Sequence, residues 1–328
     1  MVDRTEKEII STWNFNKPTI SICTISYNQE KYIAEALDSF LMQRTSFPFE
    51  IVVDDDASND KTAEILLEYQ KKFPNIMNIN FHKKNIGATK NFFQNIQRAK
   101  GEYIALCEGD DYWTDCNKLQ IQADFLSKHP AYVMSFHNID MKFEENGRFE
   151  KSIIKNGRDF TQSELKCANV YCPTCTVMFK KEGLQIKNTY FTIGGGDILL
   201  WHLLGCNGKA KFQSNIGNSV YRQHSAGIYA GLDSIEKYKF FFKNRSFIKK
   251  IVHPADTNTI QCLEETLIEH GKKCLDYYVF KNMRSYINCL KLLYKFRILH
   301  RAFGRHLVSV FKRILMFFKR KLHEISSS

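Results

Sequence analysis

Hydrophobic positions in the first third of the chain follow two alternating periods. Short apolar runs rich in β-branched residues are separated by longer stretches in which apolar residues recur at helical spacing. The predicted strands are ISICTIS, FEIVVDD, IMNINF and EYIALCE, and the predicted helices cover 30–43, 60–72 and 88–100. This alternation is typical of successive βαβ units. We therefore predict an α/β fold in which helices flank a mostly parallel sheet.

The pattern loosens after the fourth predicted strand. The following residues indicate a further helix and then two strands, at AYVMSFHNI and CTVMFK. A run of three glycines precedes another helical stretch, and from about Asp233 the remainder is helical and basic. We therefore predict one domain over 1–230, with a mixed extension of its sheet, followed by a helical extension over 231–328.

Polar side chains gather where three of the predicted strands end. These clusters are Ser26-Tyr27-Asn28, Asp54-Asp55-Asp56 and Glu108-Gly109-Asp110-Asp111. Sheets of this kind bind ligands beyond the carboxyl ends of their strands. We therefore expect the three clusters to converge on one crevice.

The acidic turn, Glu108 to Asp111, holds three carboxylates within four residues. Such a density of like charge is costly unless a cation or hydrogen bonds relieve it. Carboxylates suit Mg²⁺ or Mn²⁺ bound to a substrate diphosphate, because the ion keeps open positions for phosphate oxygens. The alternative is a solvated turn whose acids cap the next helix. The aspartates at Asp55 and Asp56 present the same choice between a ligand and helix capping.

Four segments follow one another in a characteristic order and spacing: TISYNQEKYIAEALDS, DDASNDKT, NIGATKN and GEYIALCEGDDYW. Together they resemble the nucleotide-binding half of family 2 glycosyltransferases, which have the Rossmann-like GT-A fold. The resemblance covers roughly 18–115 strongly and extends more weakly to about 227. It implies an inverting transfer of a sugar from a nucleotide-sugar, with a UDP-sugar as the expected donor, and Mn²⁺ or Mg²⁺ as the cofactor.

Carried over position by position, the resemblance implies a donor site. The residues implied to contact the nucleoside or diphosphate, or to lie beside them, are Ser26, Tyr27, Asn28, Glu30, Asp55, Asp56, Asn85, Gly87, Lys90, Glu108, Asp111 and Arg222. Asp110 is implied as the principal metal ligand, with Asp111 and His224 as further ligands. Glu108 stands where the family usually has Asp.

The resemblance also implies a catalytic base, Asp197, directly after the glycine run. Glycines allow close backbone approach to a substrate, and a carboxylate there can accept a proton from a sugar hydroxyl. The family has Glu before this Asp, whereas Gly196 stands here. The alternative role for Asp197 is that of a helix N-cap.

The expected acceptor is a hydroxyl of a lipid-linked or cell-surface glycan precursor. One other function left open is a nucleotidyltransferase acting on sugar phosphates, although the glycine- and arginine-rich signature of such enzymes is absent near the N-terminus. Another is a noncatalytic glycan- or lipid-binding module of the same fold. Retention of both Asp110 and Asp197 argues against the noncatalytic module.

The segment 301–322 has an amphipathic pattern. Its apolar residues recur at three- and four-residue intervals, and its basic residues fall on the opposite side. Such a helix is typical of a membrane interface, so we predict peripheral contact with anionic lipid, which would also account for the net charge of +12. The alternative is a helix that packs on its own catalytic domain and leaves its basic face in solvent.

Composition and pattern exclude several other classes of protein. Hydrophobic residues make up 44% of the chain and charged residues 25%, which excludes a disordered chain and a polytopic membrane protein. We expect no nucleic-acid partner, because neither an aromatic-studded recognition sheet nor a helix-turn-helix pattern is present. The N-terminal residues lack a secretory pattern, so the expected location is cytoplasmic, at the inner face of the membrane.

Overall fold

The computed structural model describes residues 4–14, 17–227, 232–278, 283–296 and 298–307. The chain divides into two compact units, Met1–Ala230 and Gly231–Ser328. Within the described ranges, no helix is long and apolar enough to cross a membrane.

The first unit is built on β-sheets. Its described part contains the strands β1 (Ile20–Ser26), β2 (Phe49–Asp55), β3 (Met77–Phe81), β4 (Tyr103–Leu106), β5 (Tyr132–Phe136), β6 (Ile139–Phe143), β7 (Phe149–Glu150), β8 (Met178–Lys180), β9 (Lys209–Phe212) and β10 (Ser219–Gln223). Seven of them form one sheet in the order β3-β2-β1-β4-β8-β5-β9, and a small sheet has the order β10-β6-β7. Strands β1 to β4 are parallel, whereas β8 runs antiparallel to both β4 and β5.

Helices cover both faces of the large sheet. They are α1 (Glu6–Ile10), α2 (Ile33–Leu41), α3 (Thr62–Lys72), α4 (Ala88–Arg98), α5 (Lys118–Lys128), α6 (Gln162–Lys166) and α7 (Gly196–Gly205). Apolar residues of α2, α3 and α5 pack in one core with alternate residues of β1 and β2. Helix α4 lies against the other face, where Asn95 reaches Cys23 and Asp54. The predicted α/β fold with a mostly parallel sheet is confirmed.

The predicted strand AYVMSFHNI is shorter in the structure. It contains β5, in the large sheet, and ends at Ile139, the first residue of β6 in the small sheet. Between them the side-chain oxygen of Asn138 accepts the N–H groups of Ile139 and Ile154 at 2.9 and 2.8 Å. An asparagine side chain that bonds nearby backbone competes with the strand ladder, so the chain turns at this point.

Gly101 touches the backbone of β1 where the chain enters β4. A Cβ added there would lie 2.5 Å from the nitrogen of Ser21 and 2.7 Å from the carbonyl carbon of Ile20. Because these backbone atoms are held in the sheet, we expect Gly101→Ala to lower the free energy of unfolding by about 1–3 kcal/mol, measured by urea denaturation. Gly304→Ala is the control, since among the described residues no atom outside its own helix lies within 4 Å of its added carbon. Equal stability of the two variants would contradict the prediction.

The second unit is helical. Its described elements are α8 (Ser234–Ile251), α9 (Thr257–Tyr278) and α10 (Met283–Lys295). They enclose a core that includes Phe242, Ile268, Leu275 and Leu293, all buried. The unit therefore has an apolar core of its own.

The predicted membrane-interface segment, 301–322, is described only as far as residue 307, and the rest of it lies outside the described residues. In the described part, Arg301 donates to Glu264 and Glu265 at 3.1 and 2.9 Å. Arg305 donates to Glu265 at 2.5 Å. Over this stretch these two basic side chains are paired with carboxylates of α9 in the same unit, and the lipid contact of 301–322 stays a prediction.

Candidate active site

The carboxyl ends of β1 and β2 lie side by side. Ser26 is paired with Asp55 in the sheet register, and its hydroxyl donates to Asp55 Oδ1 at 3.0 Å. Asp55 Oδ2 accepts the N–H of Ser58 at 3.0 Å. Ser26 and Asp55 are buried, whereas the neighbouring Tyr27 is 46% exposed. The ring of Tyr27 is therefore accessible, and its contact with a nucleoside stays a prediction.

Asp56 ties the end of β2 to the start of α4. Its two carboxylate oxygens accept the N–H groups of Ile86 and Gly87 at 2.7 and 3.0 Å. Gly87 has a φ of +88°, a conformation that favours glycine. Asn85 Oδ1 also accepts from Gly87, at 3.1 Å, and Lys90 follows in the first turn of α4. The structure thus brings the three predicted residues of the NIGATKN segment to the edge of the sheet that carries Asp56.

Asn28 and Glu30 join the loop after β1 to the loop after β2. Asn28 Oδ1 accepts the N–H of Asn59 at 2.8 Å, and Glu30 Oε2 accepts that of Lys61 at 3.0 Å. In return, the N–H of Glu30 donates to Asp60 at 3.0 Å. These side chains fix the two loops relative to each other. Their direct contact with a nucleoside stays a prediction.

Asp54 does not join the crevice, so the predicted convergence of all three aspartates is wrong at this position. Its carboxylate is fully buried and forms an ion pair with Arg98. It also accepts from the side chains of Asn95 and Asn80 at 3.0 and 3.2 Å. The physical reason is that successive strand residues point to opposite faces, so Asp54 faces α4 while Asp55 faces away from it.

The acidic turn places its three carboxylates in different surroundings. Asp110 Oδ2 lies 3.0 Å from His224 Nε2, which brings together two of the predicted metal ligands. Asp111 is buried, and its Oδ1 accepts a backbone N–H of β10 at 2.8 Å. This buried carboxylate already binds the backbone of β10, and its role as a further metal ligand stays a prediction. Glu108 accepts a hydrogen bond from the hydroxyl of Thr174 at 2.6 Å.

Burial and like charge both raise pKa values in the acidic turn. Burial is the main cause that raises the pKa of Glu108 to about 7, and the charges of Asp110 and Asp197 contribute. Burial, followed by the charges of Asp110 and Glu108, raises the pKa of Asp111 well above its usual range. Charged carboxylates in such surroundings favour the arrival of a cation. The influence of Asp197 on Glu108 also means that the predicted base lies within electrostatic reach of the turn.

The side chains at the acidic turn fit an Mn²⁺ or Mg²⁺ ion that also binds substrate phosphates. Among the described residues, no group of three His, Cys, Asp or Glu side chains could hold a metal on protein ligands alone. Asp110 and His224 offer one oxygen and one nitrogen. Mg²⁺ commonly takes one or two carboxylates and completes its coordination with phosphate oxygens and water. A two-residue site of this kind therefore suits an ion that arrives with a diphosphate.

Asp197 lies in the first turn of α7, and the helix N-cap is Gly195, in the left-handed conformation. Asp197 therefore does not act as the N-cap, which was its alternative role. A Cβ on Gly196 would lie 2.9 Å from the ring of Phe92, so a larger residue at this position would require that ring to shift.

Arg222 does not face a diphosphate as the sequence predicts. Its side chain is 1% exposed and donates from Nε to Glu144 at 2.9 Å. Its other two nitrogens donate to the carboxylate of Glu35 and to the carbonyl oxygen of Asp110. A phosphate contact would require these bonds to break, so the geometry does not support the predicted role.

Sequence patterns did not identify several residues that shape this site. They are Glu35, Phe92, Glu144 and Thr174. Thr174 lies 66 positions from its partner Glu108, and Glu35 lies 187 positions from its partner Arg222. Contacts at such separations leave no local signal in a single sequence.

Comparisons with known proteins agree with this geometry. The profile of Glycosyl transferase family 2 matches residues 21–185. The Escherichia coli UDP-Glc:alpha-D-GlcNAc-diphosphoundecaprenol beta-1,3-glucosyltransferase WfaP is 29% identical over 266 residues, which cover 80% of this chain and 94% of that protein. The chain spans about half the length, 47%, of the first curated relatives it matches, which are uncharacterised mycobacterial proteins with 41% identity over 164 residues.

Solved structures share the fold. Staphylococcus aureus TarS, residues 1–349 in complex with UDP-GlcNAc, matches with a TM-score of 0.65 at 20% identity and covers 88% of each chain. The mannosyltransferase PcManGT from Pyrobaculum calidifontis, in complex with GDP-Man and Mn²⁺, matches with a TM-score of 0.54 at 14% identity, covering 93% of this chain and 89% of that one. The family profile and these folds lead to one conclusion. The chain belongs to glycosyltransferase family 2 and has the GT-A fold that its four motifs predict.

Proposed function

We propose that this protein transfers a sugar, with inversion, from a UDP-sugar to a hydroxyl group of a glycan precursor. The observation that carries the proposal is the Asp110–His224 pair, 3.0 Å apart at the end of β4, with the carboxylate of Asp197 close enough to influence Glu108. This arrangement combines a place for a diphosphate-bound cation with a carboxylate that can take a proton. An inverting, metal-dependent sugar transfer uses both.

In the proposed reaction each group has a separate task. Tyr27 and Asp56 bind the nucleoside end of the donor, at the edge formed by β1 and β2. Asp197 takes the proton of the acceptor hydroxyl, whose oxygen then attacks the anomeric carbon while the bond to the diphosphate breaks. Asp110 and His224 would hold Mn²⁺ or Mg²⁺, and the ion would supply positive charge beside the departing diphosphate. The Mn²⁺ in the complex of PcManGT supports this cofactor.

The proposed acceptor is a lipid-linked or cell-surface glycan precursor at the cytoplasmic face of a membrane. The name of WfaP specifies a GlcNAc-diphospholipid acceptor, and TarS is named as a poly(ribitol-phosphate) transferase. Both names favour an envelope polymer or its precursor.

Membrane contact through 301–322 belongs to the same proposal, and a chain truncated after residue 299 that still co-sediments with anionic vesicles would contradict it.

A donor panel tests the function directly. The full chain is mixed with Mn²⁺, a synthetic GlcNAc-diphospholipid and one nucleotide-sugar at a time, and release of nucleoside diphosphate is recorded. We expect at least one UDP-sugar to be turned over and EDTA to stop the reaction. If no nucleotide-sugar is bound or consumed, the proposal fails.

The two alternative functions predict no release of nucleoside diphosphate in this assay, and a second test distinguishes them. A nucleotidyltransferase would release pyrophosphate from a nucleoside triphosphate and a sugar phosphate. A noncatalytic module would bind the lipid-linked glycan without consuming any donor.

A further inference from the structure

We propose that Arg222 is a positioning residue that shapes the cation site, in place of the phosphate contact predicted from the sequence. The inference rests on the proposed function, because it concerns how the acidic turn is prepared for a nucleotide-bound metal. The positioning role falls to a buried side chain that contacts the main chain of the acidic turn.

The side chain of Arg222 connects three parts of the first unit. From β10 it donates to Glu35 on α2 and to Glu144 at the end of β6. It donates a further hydrogen bond to the carbonyl oxygen of Asp110. A buried guanidinium left without acceptors is costly. These three acceptors together therefore stabilise the charge of Arg222 in the interior.

The backbone of Arg222 holds the next residue of the turn. Its N–H donates to Asp111 Oδ1 at 2.8 Å. One residue therefore fixes the main chain of Asp110 and the side chain of Asp111. Asp110 is the predicted principal metal ligand. The direction of its carboxylate depends on these two hydrogen bonds, because they hold the main chain from which the carboxylate projects.

The second predicted ligand is held by the same group of contacts. The ring of Tyr32 lies 5.0 Å from the ring of His224 and 5.1 Å from the guanidinium carbon of Arg222. On another side the guanidinium lies 4.5 Å from the ring of Tyr112. Tyr32 thus packs against both His224 and Arg222, and the arginine helps to set the position of both ligands.

The geometry requires an arginine and not merely a positive charge. A guanidinium directs several N–H groups in a fixed plane, whereas a lysine ammonium is a single flexible donor centre. Lysine at this position would keep the charge that balances Glu35 and Glu144 but could not bind three acceptors in one plane. Arg222→Lys therefore tests positioning separately from charge.

The experiment measures metal binding without relying on turnover. Calorimetry gives the Mn²⁺ concentration needed for half-maximal UDP binding. Uridine binding in EDTA measures the state of the proposed nucleoside site at the ends of β1 and β2. Loss of an outer contact to a metal ligand typically weakens metal binding about 10–100-fold. We expect Arg222→Lys to raise the required Mn²⁺ concentration about tenfold while uridine binding stays unchanged.

Two further variants complete the test. Arg158→Lys alters a comparable arginine, paired with Glu164 at 2.6 Å on the surface, and should behave as wild type. Glu144→Gln removes one charged acceptor of Arg222 and should raise the Mn²⁺ requirement in the same direction, which keeps the test valid if Arg222→Lys does not fold.

The outcomes separate the inference from the function. If Arg222→Lys, or Glu144→Gln in its place, needs no more Mn²⁺ than Arg158→Lys does, the positioning role is wrong and the proposed function stands. If uridine binding falls as much as metal binding, Arg222 has only a general structural role and the inference is again wrong. If the wild type shows no Mn²⁺-dependent UDP binding, the proposed function fails and the inference fails with it.

Discussion

Replacing Asp197 with asparagine is expected to slow sugar transfer about 10²–10⁴-fold, the usual contribution of a general base. Asparagine keeps the size and the hydrogen-bonding shape of the side chain in the first turn of α7 but cannot accept the proton of the acceptor hydroxyl. UDP-sugar binding should be unchanged, because the donor is held at β1, β2 and the acidic turn. The rate of UDP release with the acceptor, and donor affinity by calorimetry, measure the two effects.

Asp124→Asn provides the matched control. Asp124 is an exposed aspartate on α5 that accepts from Gln120 at 2.9 Å, and its substitution should leave both measurements as in wild type. If Asp197→Asn transfers sugar at the normal rate, another group is the base. If it loses donor affinity as strongly as rate, Asp197 belongs to the donor site.

Much of the site could be predicted because it lies where strand patterns end. Short apolar runs rich in β-branched residues indicate the positions of β1, β2 and β4, and parallel strands deliver their carboxyl ends to one edge. Ser26, Asp55 and Asp110 therefore follow from the order of elements. The family resemblance then adds Asp197. Its position after three glycines at the start of a helix would not by itself identify it as a catalytic base.

The errors come from side-chain direction and distant partners. Asp54 stands in the same acidic run as Asp55, but the alternation of the strand turns it to α4 and Arg98. Arg222 stands between residues of the site, yet its partners Glu35 and Glu144 come from elements far away in sequence. A sequence pattern shows which residues are close along the chain, and it does not show which charges are paired in the fold.

Replacing Asp110 with asparagine is expected to reduce turnover about 10³-fold, since a metal that stabilises a departing diphosphate supplies several kcal/mol in the transition state. Asparagine retains one neutral oxygen but loses the charge that attracts Mn²⁺, and it disturbs the 3.0 Å contact with His224. The Mn²⁺ concentration for half-maximal UDP binding should rise sharply. Uridine binding in EDTA should be unchanged, because the nucleoside contacts lie at the ends of β1 and β2.

Glu108→Gln distinguishes between the acids of the turn. The pKa of Glu108 is raised to about 7, chiefly by burial, so this carboxyl is partly neutral near pH 7, and glutamine can still accept from Thr174. We therefore expect an effect of about tenfold, the lower end of the range for an outer contact. If Glu108→Gln instead matches Asp110→Asn in both turnover and Mn²⁺ requirement, the two carboxylates share the cation equally. The assignment of Asp110 as the principal ligand would then be wrong.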